Sequence, residues 1–414
     1  MSAPLRVAVV ARAMAPLHGV GGLERSVHDL VVHLARLGVA VAVITPPPRD
    51  PATARALPAT FHHVPYRSFP LANRRGTTIL DRDTAYPLFG WRAGRVAHDL
   101  VARGAIDIVH GFGASVFGYA LARGRTPAAT VPLVLNPQGL EEFGGSAPDR
   151  VKLKRLAYAP LQFVVRVCAR HADRVIATDK ALVGVVRRHL EIGGDRLATI
   201  PNAIDVEVCD ALASAVDRHA IRTRYGIAGD AHLLVSAGRL EQNKGFHVLA
   251  RALGALRDDR SWHWVLAGEG PYRANIERAI ADAGIAPRTT LAGRIGDDAL
   301  HGLYGAADLF VHPTLYEGSS LVTLEAMARS VPVVATWAGG LPDKVRPHEN
   351  GWLVAAGEAD ALARAVREAL DAGPDVRQRF GQASRRIVEQ EFAWPVVARQ
   401  TLELYRELRA GVPQ

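Results

Sequence analysis

The chain has 414 residues, long enough for two domains that each bury a core, and its balance of 49% apolar and 22% charged residues excludes fibrous and disordered classes. Two cysteines, Cys168 and Cys209, exclude a disulfide framework and a thiolate metal site, while no cationic-then-apolar leader and no apolar run of about 20 residues marks export or a membrane span. The net charge of +9 is uneven: residues 1–204 hold 26 Lys and Arg against 14 Asp and Glu, the rest 24 against 27, and a basic half suits nucleic acid, an anionic membrane or a phosphorylated ligand.

In chain order, LRVAVVA (5–11) reads as a buried strand. The segment from Leu23 then sets Leu23, Val27, Leu30, Val31 and Leu34 on one helical face until Gly38 ends it. VAVAVIT (39–45) is the next strand. A Pro- and Arg-rich irregular excursion (46–95) precedes a helix to Arg103, the strand IDIVH (106–110), a short helix and the strand PLVLN (132–136). An amphipathic segment (150–172) leads to RVIAT (174–178), a helix and LATI (197–200). The turn PNAID (201–205) divides a first domain, 1–204, from a second, 205–390.

Alternation restarts with HLLVSAG (232–238), a helix from Lys244, WHWVLAG (262–268) and a helix from Tyr272. TTLAG (289–293), a helix, ADLFVHPT (307–314), a helix from Leu321 and VPVVAT (331–336) follow. The helical end, 391–414, is expected to pack back onto the first domain. The pattern implies an α/β chain of two Rossmann-like, doubly wound parallel sheets, with ligands at the carboxyl ends of the strands.

Strand-end loops therefore hold the candidate chemistry. GVGGLER (19–25) is either a tight strand-to-helix turn or an anion site on a helix start, and it lacks the G-x-G-x-x-G of dinucleotide binders. GRLEQNKG (238–245) places Arg239 and Lys244 in one loop, where two cations would neutralise a diphosphate unless they are merely solvated. In YEGSSLVTLEAMA (316–328), Ser319 or Ser320 caps a helix, and the amides of Gly318, Ser319, Ser320 and Leu321 would meet a phosphate. Glu325, inside that apolar helix, needs hydroxyl donors if it is buried. GGLPDKV (339–345) reads as a plain glycine turn. Asp81-Arg82-Asp83 stands among arginines and His62-His63 reads as a surface pair, so no metal site is expected.

Together these motifs resemble the family 4 retaining glycosyltransferases with the GT-B fold, also described as glycosyl transferases group 1. The matching features are GGLER, PNAID, GRLEQNKG, Glu317 and Glu325 at E-x7-E spacing, AGGLPD and the W-P-x-V-A ending, with the likeness clearest over 200–360. The resemblance implies two domains facing across a cleft and transfer of a sugar from a nucleotide-diphosphate sugar, without cofactor or metal. Arg239, Lys244 and Glu317 would be the catalytic set, with the two cations on the donor diphosphate and Glu317 on the sugar hydroxyls. Glu325 would bind the ribose, the amides of Gly318 to Leu321 the distal phosphate, and Arg294, in AGRIG, the base. Gly21 and Gly22 would face the diphosphate from the other domain. Relatives carry a His after the strand equivalent to PLVLN, where this chain has Gln138. Gln138 can hydrogen-bond a donor sugar but cannot shuttle a proton, which leaves Glu141 or Glu142 to meet the acceptor.

Nucleic acid is disfavoured as a partner, because the basic residues are dispersed and no helix-turn-helix or zinc motif appears. A sugar-nucleotide epimerase on the same fold would lack the pairing of GR-x4-KG with E-x7-E. The expected acceptor is a cell-envelope glycan or lipid-linked intermediate, of the polysaccharide or lipopolysaccharide kind, met in the cytoplasm or at the inner face of the cytoplasmic membrane. VKLKRLAYAPLQFVVRVCAR (151–170) clusters Lys152, Lys154 and Arg155 ahead of Leu161, Phe163, Val164 and Val167, with Arg166 and Arg170 between and after them. It reads either as a basic amphipathic helix on an anionic leaflet or as a core helix with a solvated charged face.

Overall fold

A computed structural model of the chain describes residues 3–19, 21–68, 77–125, 131–140, 143, 157–213, 217–229, 231–259 and 261–411. They form two compact units, one of residues 1–202 with 394–414 and one of residues 203–393.

The first unit is built on a parallel sheet that is seven-stranded among the described residues, in the order β3-β2-β1-β4-β5-β6-β7. Its strands are β1 (Arg6–Val10), β2 (Ala40–Thr45), β3 (Thr60–His63), β4 (Ile108–Phe112), β5 (Leu133–Asn136), β6 (Arg174–Ala177) and β7 (Leu197–Thr199). Near-continuous apolar runs such as RVAVV and LVLN are what a sheet covered on both faces requires. The helix Gly22–Arg36 buries Val27, Leu30, Val31 and Leu34, and Asp179 caps the helix Lys180–Leu190 by accepting from the Leu182 amide. The final helix, Trp394–Ala410, belongs to this unit. The Trp394 ring stacks on His33 and its Nε1 donates to Asp29 at 3.0 Å, while Tyr405 bonds the buried His110.

The expected excursion over 46–95 is not irregular. It contains a short helix (Pro51–Arg55), the edge strand β3, a turn of π-helix (Asp81–Ala85) and the start of a helix, Tyr86–Ala102, nine residues ahead of the expected end of the loop. The obstacle to reading it is physical. Gly90 and Gly94 look like helix breakers, yet they let this helix press against its neighbour: a Cβ on either would stand 1.9 Å from the Ala114 carbonyl oxygen or 2.3 Å from the Tyr119 amide nitrogen. TFHH, with its two histidines, has no apolar run to announce an edge strand. Asp81 and Asp83 have local partners: Tyr66 donates to Asp81, and Asp83 accepts from the Leu161 amide.

In the described part of the segment 150–172, residues 157–172, the apolar face is core. The helix Ala159–Arg170 buries Leu161, Val164, Val165 and Cys168, leaves Phe163 62% exposed, and spends Arg166 on the His189 carbonyl and the Phe143 ring. Lys152, Lys154 and Arg155 lie outside the described residues, as do Glu141 and Glu142. Among the described residues no helix is long and apolar enough to cross a membrane.

The second unit holds a parallel sheet of six strands among the described residues, in the order β10-β9-β8-β11-β12-β13. They are β8 (His232–Ala237), β9 (Trp262–Ala267), β10 (Thr289–Gly293), β11 (Leu309–His312), β12 (Val333–Thr336) and β13 (Gly351–Val354). β13 was not expected: it is a four-residue edge strand opening on Gly351, where a Cβ would meet the Val333 carbonyl oxygen at 2.0 Å. Consecutive strands run outward from β8 in one direction and from β11 in the other. The crevice beside the carboxyl ends of β8 and β11 is thus the topological switch point, where open α/β sheets bind ligands.

Candidate functional site in the second unit

The loops after β8 and β11 are bound to each other at that switch point. Gly245 takes a left-handed conformation (φ 68°), and a Cβ there would stand 2.0 Å from the Pro313 carbonyl oxygen. Asn243 accepts three bonds on its carbonyl oxygen, from the Leu315 amide at 2.7 Å, the Thr314 hydroxyl at 3.0 Å and the Tyr316 amide at 3.4 Å. Side-by-side loops then bring opposite charges together. Lys244 Nζ lies 2.7 Å from Glu317 Oε2, with side chains 19% and 11% exposed.

A third group completes the cluster. His312, the last residue of β11 and fully buried, places Nε2 2.9 Å from the same Glu317 oxygen. Burial holds the imidazole below its ordinary pKa despite the neighbouring carboxylate. The neutral ring donates from Nε2, the nitrogen that faces an acceptor, and leaves Nδ1 buried without a hydrogen-bond partner among the described residues. Burial by itself would raise the Glu317 pKa, but the His312 hydrogen bond and the Lys244 charge outweigh it and hold the carboxyl at about 2. His312 was missed in the sequence. The signal was a polar residue ending an otherwise apolar strand, in LFVHPT.

The helix Leu321–Ala328 begins beside this cluster. Ser320 is its N-cap, accepting from the Thr323 amide, and Gly318 donates its amide to Glu317 Oε1 at 3.2 Å. Glu325, one turn in, is 7% exposed and accepts from the Tyr304 hydroxyl at 3.4 Å. A hydroxyl donor is what a carboxylate inside that apolar helix requires. From the other side the turn after β12 closes in. Gly339 (φ 50°) has no room for a Cβ, which would meet the Glu317 carbonyl oxygen at 1.7 Å, and the Gly340 amide donates to the Gly318 carbonyl.

The remaining expected residues are placed as follows. Arg239 stands in the same loop as Lys244, but its side chain is 76% exposed and pairs with Glu241 at 3.0 Å. The two cations therefore do not converge on one point. Arg294 is exposed in the turn after β10. In the first unit, Gly21 is the N-cap of the helix Gly22–Arg36 and brings no side-chain cap to it, and Glu24 lies in the first turn. Gln138 follows β5 in a left-handed conformation (φ 61°), its backbone and side-chain nitrogens both 3.1 Å from Asn136 Oδ1.

Residues 20–208 match Glycosyltransferase Family 4 and residues 217–387 match Glycosyl transferases group 1. A D-inositol 3-phosphate glycosyltransferase of Streptomyces scabiei is 29% identical over 429 residues, covering 97% of this chain and 91% of the relative. Sucrose-phosphate synthase of Thermosynechococcus elongatus superposes with a TM-score of 0.75 at 23% identity, over 99% of this chain and 100% of that one. The Anabaena protein HepE, solved in complex with UDP-glucose, superposes with a TM-score of 0.70 at 20% identity, over 97% and 100%.

The depressed Glu317 pKa carries a stability consequence. A carboxylate at about 2 in the folded chain and near 4.3 when unfolded contributes about 3 kcal/mol above the unfolded value, lost as pH falls through the folded one. Glu317→Gln is therefore expected to unfold at lower urea than wild type at pH 7, with the gap closing between about pH 4.5 and 2. A gap that stays constant across that range would show that Glu317 is not held ionised.

Proposed function

Since the chain belongs to glycosyltransferase family 4 and has its GT-B fold of two parallel-sheet domains, we propose that it moves a sugar from a nucleotide-diphosphate sugar to a hydroxyl acceptor with retention of configuration. The observation that supports this most is the Lys244–Glu317–His312 cluster at the switch point of the second unit. It sets a cation, a carboxylate and the start of a helix in one place, which suits a ligand that carries both phosphates and hydroxyls.

Glu317, held ionised, accepts hydrogen bonds from sugar hydroxyls, and Glu325 does the same for the ribose. Lys244 keeps two of its three donors for the diphosphate, since one is spent on Glu317. As the bond from the anomeric carbon to the phosphate oxygen breaks, negative charge grows on the leaving diphosphate. Lys244, Arg239 and the amides of Gly318, Ser319, Ser320 and Leu321 stabilise that charge electrostatically. Arg239, exposed on its Glu241 partner, reaches the phosphates by swinging from solvent. Arg294, exposed in the turn after β10, contacts the base. The acceptor hydroxyl attacks from the face the diphosphate leaves, and the departing phosphate oxygen takes its proton. His312 has no part as a base, since it is buried and neutral. No metal is needed, because lysine, arginine and amides supply the positive charge.

The acceptor side falls to the basic first unit, and we place it at an anionic membrane surface, as for a lipid-linked or cell-envelope acceptor. Leu88, Trp91 and Phe163 are 47%, 39% and 62% exposed there, on helices packed around the 81–85 turn. Arg92, Arg95 and Arg170 are exposed on the same helices, with the Arg95 guanidinium 5.2 Å from the Trp91 ring centre. Apolar side chains among arginines match a leaflet of acidic lipid.

Lys244→Ala and Arg239→Ala are each expected to lower kcat by roughly 100-fold. Arg239→Ala should leave Tm unchanged, while Lys244→Ala should lower it by stripping Glu317 of its cation. The product of an α-linked donor should carry an α-anomeric proton by NMR, and EDTA should not slow its formation. An inverted product would rule out retention, and lost activity on chelation would rule out the metal-free site.

At low salt the chain should sediment with vesicles containing acidic lipid, and much less for Trp91→Ser/Phe163→Ser. Wild type that ignores acidic vesicles would point to a soluble acceptor.

A further inference from the structure

Lys344 is the buried cation that the catalytic scheme leaves unused. It ends the short helix Leu341–Lys344 in the turn after β12, is 1% exposed, and stands among the largest fully buried side chains of the protein. A lysine at this depth is rare, because taking an ammonium out of water is costly unless its surroundings compensate.

Its surroundings point at the loop that precedes the helix Leu321–Ala328. Nζ lies 3.2 Å from Ser319 Oγ and 3.3 Å from the Gly340 carbonyl oxygen, and 5.6 Å from the ring centre of Phe392. The same turn is fixed against that loop through the Gly340 amide and the close approach of Gly339 to Glu317. The ammonium is also near enough to His312 to oppose a charge on its ring. Lys344 thus reaches the loop ahead of the helix Leu321–Ala328 from underneath, while Lys244 reaches it at Glu317 from the loop after β8.

We propose that Lys344 is a positioning cation of the donor site: it holds the Ser319 hydroxyl and places a fixed positive charge beneath the 318–321 amides, so that the site prefers a diphosphate over a ligand with less phosphate charge. This rests on the donor-site reading given above. The backbone amides alone carry only about half an elementary charge at a helix start. A full charge in a region shielded from water acts there with little screening by salt. Ser319 transmits the effect in a second way, because a hydroxyl that accepts from Lys344 has its own proton free to turn toward a phosphate oxygen.

The test uses the full chain and calorimetric titration with UDP, GDP and ADP, each against its nucleoside monophosphate and nucleoside. Wild type should prefer one diphosphate over its nucleoside by at least 100-fold; absence of any such preference would overturn the donor site and Lys344 with it. With that preference in hand, Lys344→Met and Lys344→Gln should weaken the diphosphate by about 10-fold or more and the nucleoside by less than about 2-fold. Lys344→Arg should restore most of the loss. Tm of the unliganded Met variant should not fall, since an apolar side chain of similar volume commonly replaces a buried ion at no cost. Ser319→Ala should weaken the diphosphate less than additively with Lys344→Gln, as expected of two groups in one contact. Equal weakening of diphosphate and nucleoside, or a lower Tm with unchanged ligand preference, would show that Lys344 is only a prop and would overturn the proposal.

Discussion

One buried carboxylate organises the second unit. Glu317 sits almost out of water yet stays charged, because Lys244 and His312 both spend a donor on the same oxygen. An isolated carboxylate at that depth would take up a proton instead. Lys244 comes from the loop after β8 and His312 from the end of β11, so keeping Glu317 ionised ties together the two strands that flank the switch point. The interaction is structural and chemical at once. It fixes the loops, and it leaves an acceptor and a partly used cation facing a helix start.

The geometry around it is held by backbone rather than by long side chains. Gly245 lies against Pro313, Gly339 against Glu317, and Gly268 against the Gly238 carbonyl at a distance no Cβ would tolerate. Such contacts leave the loops little freedom to rearrange. Donors fixed before charge develops in a transition state incur no reorganisation when it does, which is the usual origin of electrostatic catalysis. A second buried cation, Lys344, lies below the same loop.

Much of this was legible in the residues. Apolar runs such as HLLVSA and LFVH announce covered parallel strands, and E-x7-E after GR-x4-KG points to the loops that meet. What could not be read depends on contacts distant in sequence. Gly90 and Gly94 look like breaks until Ala114 and Tyr119 are seen against them. The apolar face of Ala159–Arg170 suits a membrane as well as a core, and only packing decides that Leu161 and Val164 are inside while Phe163 is out. Arg239 and Lys244 read as one clamp, but their partners separate them: Glu241 holds the first in solvent and Glu317 draws the second inward. Lys344, in an ordinary-looking glycine turn, gave no signal, because its burial follows from how that turn folds beneath Ser319.

The most direct measurement is a crystal structure of the full chain with the nucleoside diphosphate that raises its thermal stability most. The phosphates are expected within hydrogen-bond distance of the 318–321 amides and Lys244, with the ribose hydroxyls on Glu325 and the Lys244–Glu317 pair still in place. A diphosphate bound away from the loops after β8 and β11, or a Glu317 turned out to solvent, would contradict the assignment.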